Sequence, residues 1–176
     1  MKANPKHTDP FPIAKAALMV SVLLLPSLAA LGAGSQKKRA SKGADPSIAP
    51  YNQGVDLMLA KQFAAAEQKF EQAVKQRPAF AEAHNNLAYT LRKQGPEHYQ
   101  EALEQYNTAI RLNPNLAEAY MYRGILYAQT GRKADAQADW RKLQRLSPKL
   151  AKELEEVIAT GKEEDRVYGL GKKISG

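Results

Sequence analysis

The side chains able to do chemistry are few in this chain, and their spacing argues against a catalytic centre. His7, His84 and His98 share no i,i+4 relation, so they do not form the paired pattern of a helical metal site. Glu163, Glu164 and Asp165 place three carboxylates together, but consecutive acids after a helix end form a solvated cluster, not an acid and base held at a set separation. Gly169-x-Gly171-Lys172 has the glycines and lysine of a phosphate cradle without its four-residue loop, the strand before it or the helix after it. The chain contains no nucleophile elbow of the G-x-S-x-G kind and no H-E-x-x-H, the patterns that position a serine or a zinc ion. It contains no cysteine, which excludes disulfides, thiolate catalysis and cysteine-ligated zinc. These residues predict no enzyme, no metal site and no cofactor.

Charge points the same way. The formal net charge of +8 resembles that of a nucleic-acid binder until it is divided: residues 1–46 hold seven Lys/Arg against two Asp/Glu, and residues 47–176 hold nineteen against sixteen. A phosphate-binding surface needs basic residues concentrated on one folded face. Here they are interleaved with carboxylates outside the leader, so no nucleic-acid partner is expected.

That leader has the order of an export signal. Lys2, Lys6 and Lys15 precede an apolar run from Ala16 to Leu25, then Pro26 and the small-residue stretch Ser27-Leu28-Ala29-Ala30-Leu31-Gly32, with small-x-small cleavage sites near residues 29–33. The competing expectation is a single uncleaved anchor over residues 16–33, about eighteen residues and just able to cross roughly 30 Å of hydrocarbon. Lys37, Lys38, Arg39 and Lys42 favour the anchor, because positive charge after an apolar run resists translocation. Residues 1–33 are thus a signal peptide or membrane anchor, and the product is exported to a periplasmic-type compartment or tethered to a membrane. Residues 34–46 lack large apolar side chains and read as a flexible basic linker.

The elements that carry any function lie beyond it. Pro78, Pro114 and Pro148 are spaced 36 and 34 residues apart. Twelve positions before each stands an alanine (Ala66, Ala102, Ala136), and eight before each an aromatic (Phe70, Tyr106, Trp140). Small residues, Gly54, Ala88 and Gly124, recur near the start of each unit. Small side chains let two helices approach, an aromatic fills the space between hairpins, and proline ends a helix because it lacks an amide donor. Breakers at Lys61-Gln62, Gly95-Pro96 and Gly131-Arg132 mark the turn within each unit. The expected helices are 48–60, 63–76, 81–94, 98–112, 117–130 and 133–145.

This pattern of small, aromatic and proline positions resembles the tetratricopeptide repeat (TPR) family. The resemblance covers residues 47–150 and implies an all-α, right-handed α-solenoid of three helical hairpins (about 47–80, 81–116 and 117–150). Residues 149–160 add a capping helix, since Leu150, Ala151, Leu154, Val157 and Ile158 form one apolar stripe that can cover the open end. Residues 161–176 are expected to be disordered by default, with weak docking of Val167 to Ile174 as the exception.

In this family the first helix of each hairpin lines a concave groove. Carried onto this chain, that assigns partner contact to Tyr51, Asn52, Val55 and Met58 in the first unit, to Asn85, Asn86, Tyr89, Arg92 and Lys93 in the second, and to Met121, Tyr122, Ile125 and Gln129 in the third. Tyrosine and methionine anchor peptides and asparagine amides bond an extended main chain. Val55, Met58, Met121 and Ile125 equally suit packing between neighbouring first helices. The family's clamp for chaperone C-terminal carboxylates wants basic side chains where this chain has Tyr51, Glu118 and Tyr122; only Asn86 matches, so that ligand is not expected. The expectation is a protein-binding adaptor in a cell-envelope or membrane-associated assembly, with a self-associating structural repeat protein as the alternative.

Overall fold

The computed structural model describes residues 45–164 and 167–175. The leader at 1–33 and most of the linker lie outside the described residues. Among those described, no helix is long and apolar enough to cross a membrane.

Seven α-helices follow one another among the described residues: α1 (Ile48–Leu59), α2 (Phe63–Gln76), α3 (Ala81–Gln94), α4 (Tyr99–Leu112), α5 (Ala117–Gln129), α6 (Lys133–Leu146) and α7 (Pro148–Thr160). A single 3-10 turn, Pro96–His98, precedes α4 and absorbs the two extra residues of the second unit. The helices pair as α1/α2, α3/α4 and α5/α6. α7 packs on both α5 and α6, and α3 touches both α1 and α5. The result is the expected all-α solenoid of three hairpins and a cap.

The turns repeat at atomic level. Lys61 N–H donates to the Met58 carbonyl and Gln62 N–H to that of Leu57, while Gly131 and Arg132 make the same pair of bonds to Ala128 and Tyr127. Both are Schellman closures, in which one residue takes left-handed backbone. Gly131 does so at φ 76° and Lys61 at φ 58°, the latter without glycine's freedom. At the end of each second helix, Arg77, Asn113 and Ser147 swing to φ of −136°, −136° and −156°, because the following proline disfavours helical backbone at the residue before it. The third proline does a second job: Ser147 accepts from Leu150 N–H and Pro148 occupies the first turn of α7, a position where its missing donor costs nothing.

The repeated columns meet in the core. Ala66, Phe70, Ala102, Tyr106 and Ala136 have no exposed surface. A Cβ on Gly54 would lie 2.7 Å from the Phe70 ring, and one on Gly124 would lie 2.5 Å from Leu154 of the cap. Trp140 departs from its column and stays partly exposed, because it faces α7 alone where Phe70 and Tyr106 each have a further hairpin over them. The linker departs from expectation at its end: Asp45 accepts from Ser47 N–H (2.9 Å) and Ser47 Oγ (2.6 Å), and from Arg77 (2.8 Å). Those Ser47 bonds, followed by the Arg77 charge, hold its carboxyl below the ordinary carboxylate value.

Candidate functional site: the concave groove

Helices α1, α3 and α5 present the residues assigned to the groove, and the C-terminal tail lies across them. Residues 167–175, expected to be disordered or weakly docked, hold no helix or strand, bend at Gly169 and turn through Leu170 and Gly171, and run from the third hairpin back to the first. Leu170 is only 1% exposed and belongs to the core cluster. The physical reason is local: three apolar side chains, Val167, Leu170 and Ile174, find a surface already lined with aromatic rings, and polar side chains satisfy the tail backbone that would otherwise be buried unpaired.

Those polar contacts form a ladder. The Tyr122 hydroxyl accepts from Tyr168 N–H (2.7 Å) and donates to the Tyr168 carbonyl (3.3 Å). Asn86 Nδ2 donates to the Leu170 carbonyl (3.2 Å) and to the Tyr51 hydroxyl (3.3 Å), which in turn donates to the Lys172 carbonyl (3.2 Å). Asn52 closes the series with two bonds to one residue: its Nδ2 donates to the Ile174 carbonyl (2.9 Å) and its Oδ1 accepts from Ile174 N–H (3.0 Å). An asparagine side chain used in this way acts as a strand edge.

Charge marks both ends. Arg92, its side chain 1% exposed, donates two bonds to Glu163 at 2.8 and 2.6 Å, with Gln129 Oε1 at 3.2 Å. The guanidinium lies 5.4 Å from the Tyr89 ring and 5.8 Å from that of Tyr122, positions that favour a cation. Burial is the largest single influence and would lower the Arg92 pKa, but the Glu163 hydrogen bonds and charge, together with Tyr106, outweigh it and the net shift is upward. At the other end Lys173 Nζ is 2.7 Å from Asp56, both side chains being about half exposed. Burial, reinforced by Glu82, pushes the Tyr51 hydroxyl up to about 12; burial also raises Tyr122, against the Tyr168 backbone bond.

The other assigned residues divide. Val55, Met58 and Ile125 are fully enclosed, so their surface serves packing between hairpins. Tyr89 is likewise buried, edge-on to Tyr122 (5.0 Å between centroids) and to Phe63 (6.4 Å). Met121 lines a small recess with Val157, Glu163 and Tyr168. Asn85 sits beside Glu82, Glu118 and the tail in a cleft of about 470 Å³, its buried Oδ1 without a hydrogen bond among the described residues. Lys93 is 3.9 Å from Glu163. Sequence reading missed Asp56 and the tail residues Glu163, Leu170 and Lys173; the only signal was the isolated apolar spacing of Val167, Leu170 and Ile174.

Comparison with known proteins places these features. Residues 69–104 and 117–150 match models of the tetratricopeptide repeat, and residues 97–131 match a TPR repeat model. The Arabidopsis OM64 TPR domain superposes with a TM-score of 0.60 at 24% identity, covering 66% of this chain and 96% of that one. The second TPR domain of human RPAP3, solved in complex with the HSP70 peptide SGPTIEEVD, gives 0.59 at 22% identity over 65% of this chain and 95% of its own. In sequence, 71 residues are 37% identical to a UDP-N-acetylglucosamine–peptide N-acetylglucosaminyltransferase of Giardia intestinalis (strain ATCC 50803 / WB clone C6), amounting to 40% of this chain but 5% of that protein. Three repeat-model matches on a solenoid whose turns, small-residue columns and prolines recur at the same register make this chain a tetratricopeptide repeat protein.

Proposed function

We propose that this chain is a non-catalytic adaptor that holds a partner protein by an extended segment laid along the concave face. The observation that carries this reading is the two-way bond between Asn52 and the main chain at position 174, continued by Asn86 and Tyr122. Side chains that read a backbone in extended form recognise a strand-like peptide whatever its source. The RPAP3 domain similar in fold is bound to a peptide, which supports the same use here. The apolar run at 16–33, with lysines on both sides, supports export or membrane tethering of the adaptor. Fractionation together with N-terminal sequencing of the mature chain distinguishes the two.

The test is site-specific photo-crosslinking in native cells. A photoreactive residue at Asn52, on the concave face, is compared with one at Glu155, exposed on α7. The reading requires a partner crosslinked from position 52 and lost with Asp56→Arg. Crosslinking from position 155 alone, or only to further copies of this chain, removes it and favours self-association.

A further inference from the structure

The groove is filled by the protein's own C-terminus, and the fit is chemically specific along its length. A carboxylate, an aliphatic side chain and an ammonium group of the tail meet three different features of the concave face. Glu163 is bidentate on the buried Arg92, Leu170 is enclosed, and Lys173 pairs with Asp56. The path also depends on a glycine: Gly169 has φ of 70°, and a Cβ there would collide with the Glu118 carboxyl.

We propose that residues 163–164 and 167–175 are a built-in ligand of the groove, which a partner must displace, and that the partner is a segment of matching chemistry. Read from its N-terminus, it offers a carboxylate to Arg92, an aliphatic side chain to the Leu170 seat and a basic side chain to Asp56. This rests on the reading of the concave face as the peptide site. The requirement for an acid follows from burial. Arg92 is almost entirely enclosed, and a cation in that position needs a carboxylate whether the tail or a partner supplies it. Affinity for the partner is reduced by the fraction of molecules whose groove is closed. Because the tail follows α7 directly, its local concentration at the groove is high.

The experiment uses a fluorescent synthetic peptide of residues 162–176 and measures its anisotropy with the full chain, wild type or carrying Leu170→Asp. Gly169→Val serves as a second tail-releasing variant, and circular dichroism checks that each keeps its helices. The released variants bind the peptide at least about tenfold more tightly than wild type, and adding Arg92→Gln to Leu170→Asp abolishes that gain. Equal affinity for wild type and both released variants overturns self-occupancy while leaving the groove a peptide site. No binding to a helical released variant also overturns the proposal. A wild-type mass that doubles with concentration and halves on adding the peptide seats the tail in a second copy and overturns the intramolecular arrangement.

Discussion

Replacing Glu163 with glutamine keeps the shape of the tail and an acceptor oxygen but removes the charge that Arg92 faces. The guanidinium is 1% exposed and the carboxylate 15%, so water screens the pair only weakly. A hydrogen bond to a charged group contributes about 1.5–3 kcal/mol, and stripping the partner from a buried cation costs about 3–5 kcal/mol. The lower range applies first, because the amide still accepts one bond. The upper range is never reached if the tail can lift and let water reach Arg92, so the loss is capped by the docking free energy of the tail. We expect Glu163→Gln to cost about 2–3 kcal/mol in urea unfolding followed by circular dichroism. Arg92→Met removes the cation together with its need for a partner, so Glu163→Gln added to it costs less than about 0.5 kcal/mol. A double-mutant cycle reads the coupling directly. Equal effects of Glu163→Gln with and without Arg92, or no effect in either, would refute the buried pair as the anchor of the tail.

Other consequences are independent of that pair. Lys61→Gly relieves a left-handed cost of about 1–2 kcal/mol against about 0.5–1 kcal/mol of added chain entropy, so thermal unfolding should show a net gain of roughly 0.5–1 kcal/mol; destabilisation would contradict the Schellman turn. Gly54→Ala meets the rigid, fully buried Phe70 ring, whereas Gly124→Ala meets the end of Leu154, so the first is the more destabilising in the same assay, by about 1 kcal/mol or more. Tyr51 ionises at about 12, against an ordinary 10.0. The unfolded chain therefore loses this proton first, and stability falls as pH rises from about 10 to about 12; Tyr106 and Tyr122, raised by burial, extend the loss to higher pH. Alkaline spectrophotometric titration checks this, and releasing the tail with Leu170→Asp should bring Tyr51 and Tyr122 back toward the ordinary value.

The solenoid was legible because its determinants are local and repeated. Gly54, Ala66, Phe70 and Pro78 each impose a constraint on backbone approach or helix ending that recurs in the later hairpins, and the expected helix ends agree with those observed to within a residue or so. The groove was legible only as far as the register carries it: Asn52, Asn86 and Tyr122 face the tail, while Val55, Met58 and Ile125, on the same helices, are consumed by packing between hairpins. Periodicity cannot separate these two fates, because both faces of a first helix are buried once neighbouring hairpins stack. The tail was the least legible part. Glu163, Leu170 and Lys173 have no helical or strand period, and their order comes from contacts with residues some 70 to 120 positions earlier.

Amide hydrogen exchange of the C-terminal segment tests the occupied groove most directly. The Tyr168 and Ile174 amides donate to the Tyr122 hydroxyl and to Asn52 Oδ1, so in the full wild-type chain both should exchange at least about tenfold more slowly than in an unstructured peptide, and Asn52→Ala should release Ile174 first. Exchange of both amides at the unstructured rate in a chain whose helices remain protected would contradict the tail-filled groove.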